Sequence, residues 1–293
     1  DSFFMLGGNS LLAVRLVSRL RSAGYTLGLQ DIFASPCLVD MAKNVRDDDI
    51  NNLLIRDEAL IVKLEGNDSP VFFVPSGFGD YSYVYGLSKT MDIDSPIYAL
   101  PWPERMAEAK LSMKELVHYM VNTLLRVQPE GVYSIIGYSS GGVLAWLIAD
   151  YLLCIGKQVK FIGMIDTLSP LAPKNESMNF DLDNADYLIN KENVKHYAQI
   201  VRQAEIRPID VNIYLFKALL EEDNDLEYIK QIRCLGYSRE RNQAALLWDI
   251  IPGVDNINVL SVNGNHSSIL SDAQFRKQLA DKISRVLKGD VVK

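Results

Sequence analysis

At 293 residues, 48% hydrophobic and 23% charged, the chain has room for one large domain and a small one, and its composition is that of an ordinary globular protein. A net charge of −7 and a pI near 5.1 argue against a nucleic-acid partner, which needs a basic face. Three widely spaced cysteines, Cys37, Cys154 and Cys234, form neither a disulfide framework nor a metal-ligand pattern, and no leader-like segment opens the sequence. A reducing cytoplasm and no metal are therefore expected.

Residues 10–23 read as the first helix, with Leu12, Leu16 and Leu20 on its apolar stripe, Arg15 and Arg19 outside it, and Gly24 as its stop. A short helix follows at 29–34, and Ser35-Pro36 reads as the N-cap and first-turn proline of another. Residues 1–45 are thus expected to form a small all-α bundle. Arg46-Asp47-Asp48-Asp49-Ile50-Asn51-Asn52 is polar and aperiodic, which places a linker at 46–58.

From 59 to 288, short β-branched or aromatic runs alternate with helical patterns. Strands are expected at 60–64, 71–74, 97–100, 133–136, 161–165, 211–216 and 257–262, with helices at 113–127, 142–155 and 272–287. Several strands are nearly continuous apolar runs, as in a mostly parallel, doubly wound sheet covered on both faces. The most apolar stretch, 132–155, is broken by Ser139, Gly141 and Asp150, so it reads as a buried strand–turn–helix and not as a membrane span. Between Asp166 and Val211 the rhythm fails, and a helical lid insertion is expected at about 171–208.

Gly137-Tyr138-Ser139-Ser140-Gly141 lies between the strand at 133–136 and the helix at 142–155. Gly-x-Ser-x-Gly alone is common. Between a strand and a helix it describes a sharp turn that lifts Ser139 above the sheet as a nucleophile. Asp166 closes the strand at 161–165 and suits an orienting acid; His266, on the Gly/Asn loop after the last strand, suits a base. The chain order Ser, Asp, His is that of α/β-hydrolases. His118, on an amphipathic helix, and His196, in the insertion, compete poorly, and Glu221-Glu222-Asp223 is a weaker source of the acid. An oxyanion needs two backbone donors. Ser140 should supply one and Gly77 the other, with Ser76 or Phe78 open by a one-residue shift. Ser10, in Leu6-Gly7-Gly8-Asn9-Ser10, reads equally as a helix N-cap or as a modification site.

Asp1-Ser2-Phe3-Phe4-Met5-Leu6-Gly7-Gly8-Asn9-Ser10-Leu11-Leu12 resembles the attachment motif of a peptidyl carrier domain from a nonribosomal peptide synthetase. Phe33-Ala34-Ser35-Pro36 resembles the later carrier helices, with Cys37 where threonine is more usual, and the family's first helix is missing. Residues 59–288 resemble the type I thioesterase that ends such assembly lines. The matching residues are Gly137 to Gly142, Ile165-Asp166-Thr167, Trp248 and Gly264-Asn265-His266; Val74 departs from the aromatic or histidine common before Pro75. The resemblance implies 4′-phosphopantetheine on Ser10, placed there by a phosphopantetheinyl transferase. It also implies a tethered peptidyl or acyl thioester as substrate, upstream synthetase domains as partners, and release through Ser139, Asp166 and His266. Two other functions stay open at this level: a stand-alone esterase for small soluble esters, and a carrier or docking module beside an inactive hydrolase domain.

Overall fold

The computed structural model describes residues 2–6, 12–13, 16–17, 20, 25–47, 59–63, 65–103, 105–170, 191–220, 245–254 and 256–290. The chain divides into two units, Asp1–Glu58 with Asp181–Glu192, and Ala59–Phe180 with Asn193–Lys293.

In the second unit the seven apolar runs become one sheet. Its strands are β1 (Leu60–Lys63), β2 (Val71–Val74), β3 (Ile97–Ala99), β4 (Val132–Tyr138), β5 (Gln158–Ile165), β6 (Ile213–Ala218) and β7 (Ile257–Val262), in the order β1-β3-β2-β4-β5-β6-β7. β1 is antiparallel to β3, and every other neighbouring pair is parallel. Alternation sorts the strand side chains into two cores. Phe72, Val74, Tyr133, Ile135, Ile162, Met164, Ile213 and Leu215 pack on one face, against α2 (Met113–Val127) and α3 (Gly141–Cys154). Val71, Phe73, Ile136, Phe161, Ile165, Phe216, Leu260 and Val262 pack on the other, against α1 (Tyr83–Ser88) and α6 (Ala273–Lys288). Helices cover both faces, which is why several of the strands read as nearly continuous apolar runs. The sheet is that of an α/β-hydrolase.

Two further helices complete this unit, α4 (Lys191–Arg202) in the expected insertion and the single turn α5 (Ser268–Ser271). From Asn193 onward α4 joins the first core through Val194, Tyr197, Ala198 and Val201. Neither α1 nor α5 was legible in advance, because each is too short to show a period.

The first unit contains helices Leu29–Ala34 and Leu38–Asn44, with Tyr25–Thr26 paired antiparallel to Arg46–Asp47. Two expectations need correction. The N-cap of the second helix is Cys37, not Ser35: Ser35 closes the preceding helix, while the Pro36 carbonyl accepts the Phe3 N–H at 2.7 Å and holds the chain extended there. In the first helix the described residues Ala13 and Val17 are buried, Leu16 and Leu20 half-buried, and Leu12 exposed. Steps of four residues drift by about 40° each around a helix, so the inward stripe runs 13, 16, 17, 20 and leaves Leu12 outside.

Candidate active site

The order of the strands locates the site before any side chain is considered. β2 is followed by β3 on one side of it, and β4 lies on the other, so the chain reverses direction across the sheet between β2 and β4. Crevices at the carboxyl ends of such strands are where open α/β sheets bind ligands. Here that end carries Pro75-Ser76-Gly77 after β2 and Ser139 after β4, with Val74 in register with Gly137.

Ser139 turns the chain from β4 into α3 with φ +57°, in the left-handed region that a serine enters at a cost of roughly 1–3 kcal/mol. Its N–H donates to the Ile165 carbonyl at 2.9 Å, which fastens the turn to the end of β5. The glycines on either side are sterically required. A Cβ on Gly137 would stand 2.2 Å from the Gly141 carbonyl oxygen, and one on Gly141 would stand 2.3 Å from that of Pro75. Ser139 is consequently held over the N-terminus of α3, whose unpaired N–H groups favour negative charge.

Asp166 is one residue beyond β5, buried and also left-handed at φ +43°. Its N–H donates to Phe216 at 2.8 Å, its Oδ1 accepts the Ala218 N–H at 3.0 Å, and its Oδ2 lies 2.6 Å from His266 Nδ1. Because an ionised carboxylate only accepts, Nδ1 of His266 is the donor in this pair. The loop that brings His266 from β7 over the end of β6 is braced by a reciprocal pair: the Asn265 N–H donates to Ser268 Oγ at 2.8 Å and the Ser268 N–H to Asn265 Oδ1 at 2.7 Å.

Tyr138, the residue before Ser139, meets the same histidine twice. Its hydroxyl donates to the His266 carbonyl at 2.8 Å, and its ring stacks on the imidazole at 4.8 Å and 27°. Tyr83 packs behind Tyr138 at 5.6 Å and donates its hydroxyl to the Val74 carbonyl at 2.7 Å; burial, with Asp80 nearby, pushes its phenol well above the ordinary range. The motif that singled out Ser139 already contained Tyr138, but nothing local shows which way an aromatic at a strand end will face.

In the loop after β2, Ser76 N–H donates to the Asp80 carbonyl, Gly79 N–H to the Ser76 carbonyl, and Phe78 N–H to Ser76 Oγ at 3.3 Å. The N–H groups of Gly77 and Ser140 donate to no acceptor among the described residues. Of the three candidates in this loop, Gly77 alone keeps its N–H unbonded within that set. His118 lies on the surface, 2.9 Å from the Tyr151 hydroxyl, and His196 Nε2 is 2.6 Å from the Leu111 carbonyl, so both are engaged elsewhere. Ser10 and Glu221-Glu222-Asp223 lie outside the described residues.

Residues 69–285 match the family model for the thioesterase domain, and residues 1–45 that for the phosphopantetheine attachment site. Malpinin synthetase of Mortierella alpina is 35% identical over 170 residues, which is 57% of this chain and 2% of that protein. A holo four-domain nonribosomal peptide synthetase bound to AMP and glycine superposes with a TM-score of 0.66 at 20% identity, covering 98% of this chain and 24% of its own. The NocB thioesterase domain, solved as a covalent complex with a fluorophosphonate nocardicin G analogue, superposes at 0.55 with 21% identity, over 76% of this chain and 96% of that one. The chain therefore spans a small part of the synthetases it resembles.

Proposed function

This chain belongs to the thioesterase domain family, and on that premise we propose that it unloads a peptidyl or acyl chain held as a thioester on its own carrier region, by way of Ser139. The observation that supports this reading is the pair of arrangements around Ser139. A buried Asp166–His266 couple stands ready for protons, and two backbone N–H groups stand ready for charge.

Nε2 of His266 takes the Ser139 proton while Asp166 holds the imidazole in that tautomer. Ser139 Oγ bonds to the thioester carbonyl carbon, and the N–H groups of Ser140 and Gly77 stabilise the charge collecting on the carbonyl oxygen. The C–S bond breaks, His266 gives its proton to the leaving sulfur, and the acyl chain remains on Ser139 as an ester. Water then loses a proton to His266 and attacks the ester carbonyl, the C–Oγ bond breaks, and His266 returns its proton to Ser139 Oγ as the free acid leaves. An amine or hydroxyl of the acyl chain in place of water gives cyclisation.

4′-Phosphopantetheine is the group that the attachment-site family carries, and when bound it supplies the thiol on which an acyl chain is held. Ser10 offers the primary alcohol that a phosphodiester requires. Leu6, the last described residue before that loop, is 73% exposed, as access by a separate phosphopantetheinyl transferase demands. We assign residues 1–45 to the carrier, 46–58 to a linker and 59–288 to the hydrolase. We also propose that the segment at about 171–208, of which 171–190 lie outside the described residues, acts as a lid that controls the entry of water. Upstream synthetase domains would deliver the chain in the cytoplasm. Among the described residues no helix is long and apolar enough to cross a membrane.

The test is intact mass after incubation with a promiscuous phosphopantetheinyl transferase and an acyl-CoA. Ser139→Ala should retain one acyl-pantetheine, wild type should revert to the bare arm with free product, and Ser10→Ala should gain no mass. A folded wild type that takes no mass at Ser10 would end the carrier assignment, and the reading would shift to an esterase of soluble esters. Release that survives Ser139→Ala would end the nucleophile assignment.

A further inference from the structure

The helix α4, within the expected insertion, reaches both loops that carry the proposed oxyanion donors. Tyr197, on α4, is fully buried, and its hydroxyl donates to the Ser140 carbonyl at 3.0 Å. That carbonyl opens α3 and already accepts from Val143 and Leu144 at 3.1 and 3.4 Å, so Tyr197 adds a third, side-chain tether to the residue whose N–H is proposed above as an oxyanion donor. The ring of Tyr197 packs on Trp102 at 4.4 Å. Trp102 in turn lies flat against the loop after β2: a Cβ on Gly79 would stand 2.8 Å from its Cε3. The Trp102 indole N–H is buried and makes no hydrogen bond among the described residues, so contact alone holds the ring between Gly79 and Tyr197.

Three more bonds clamp α4 onto the chain that carries Trp102. Asn193 Oδ1 accepts the Ala107 N–H at 2.7 Å, Asn193 Nδ2 donates to the Pro103 carbonyl at 3.3 Å, and His196 Nε2 lies 2.6 Å from the Leu111 carbonyl. A single helix face thus reaches Ser140 through a hydroxyl and the Gly77 loop through an indole. The two donors come from different loops, and small misplacements of such groups are costly, of order a hundredfold in rate per ångström.

We propose that Tyr197 is a positioning residue, which sets the spacing of the Ser140 and Gly77 N–H groups through the Ser140 carbonyl and through Trp102. The inference rests on the reading of Ser139 as the nucleophile. It couples α4 to the oxyanion site, directly through the Ser140 carbonyl and through Trp102 to the loop of Gly77.

The full chain should be labelled with a fluorophosphonate, whose phosphoryl oxygen occupies the oxyanion position when it bonds to Ser139, and the rate followed by intact mass from pH 5 to pH 9. No acyl specificity enters this readout. Tyr197→Phe keeps the ring contact and loses the tether, so labelling should slow by about tenfold at every pH with the midpoint of the profile unmoved. An unchanged rate in a folded variant overturns the proposal. So does a moved midpoint, which would place Tyr197 behind His266 instead. If Tyr197→Phe does not fold, Trp102→Phe is measured in its place, with a slowing of about threefold expected and none overturning the proposal. Labelling that persists in Ser139→Ala removes the underlying assignment, an outcome distinct from all of these.

Discussion

The two sides of Ser139 are built on opposite principles. On one side both oxygens of Asp166, Nδ1 of His266 and the His266 carbonyl have partners between 2.6 and 3.0 Å. On the other, the Gly77 and Ser140 N–H groups are left without acceptors among the described residues, while the N–H groups flanking Gly77 are used up within the loop. A proton relay needs one tautomer and one orientation, so bonding it fully lowers the cost of reaching the transition state. On the proposed reading the Gly77 and Ser140 N–H groups stabilise charge, which needs donors with nothing to give up when the charge arrives. Burying an unbonded N–H costs about 1–3 kcal/mol in the resting protein, a cost that becomes useful when an oxyanion occupies the place.

Substitutions can break one side at a time. Ser139→Ala removes what the sides share, and turnover of a soluble acyl thioester should fall by about 10⁶-fold, read as product formed per enzyme. Asp166→Asn comes next. An amide at Oδ2 can present an N–H to Nδ1, which favours the wrong tautomer, and kcat should fall by about 10⁴-fold with KM little changed. Gly141→Ala attacks the other side: its methyl would press on the Pro75 carbonyl, displace the Gly77 loop and lower kcat by about 10²-fold. The midpoint of the pH–rate profile should hold in that variant, since the Asp166–His266 pair is untouched. Tyr138→Phe keeps the stack on His266 and loses one hydrogen bond, so a loss of about fivefold in kcat is expected.

The smallest effect concerns Asp80, whose carbonyl closes the Gly77 loop and whose carboxylate accepts from the Ser82 N–H and Oγ at 2.9 and 3.0 Å. Burial raises its pKa above the ordinary 3.8, the bonds from Ser82 offsetting part of the effect. A raised value means that its contribution to stability is present in full below the ordinary value and lost as pH climbs through the raised one. Asp80→Asn should therefore melt higher than wild type at pH 8, with the difference shrinking toward pH 4. An equal difference at both pH values would show that the effect is not one of ionisation.

The positions of the seven strands and of the helices at 113–127 and 142–155 could be read directly, because apolar runs and periods of 3.6 are properties of neighbouring residues. The turn that holds Ser139 was legible for the same reason, since a glycine on each side of a serine between strand and helix describes its own geometry. Asp166 and His266 could be proposed from their places after strands, but their 2.6 Å approach depends on β5, β6 and β7 lying side by side in register, with Ile165 opposite Phe216 and Ala218 opposite Val262. Chain order cannot supply that.

Gly77 had been separable from Ser76 and Phe78 only by residue size. What distinguishes it is where its neighbours' N–H groups go, and that is settled by the fold of the whole loop. Nothing in the sequence marks Trp102 or Tyr197, and Tyr138 is legible only as part of the Ser139 motif; yet Tyr138 and Tyr197 hold backbone carbonyls at the site and Trp102 packs between Gly79 and Tyr197. The amino-acid sequence by itself determined which residues could carry the chemistry, because reactivity and secondary structure are local. Tertiary structure alone decided which donors stay vacant and which aromatics brace them. The hydrogen-bond partners described at the site stand up to 128 residues apart in the chain and are chosen by packing, not by spacing.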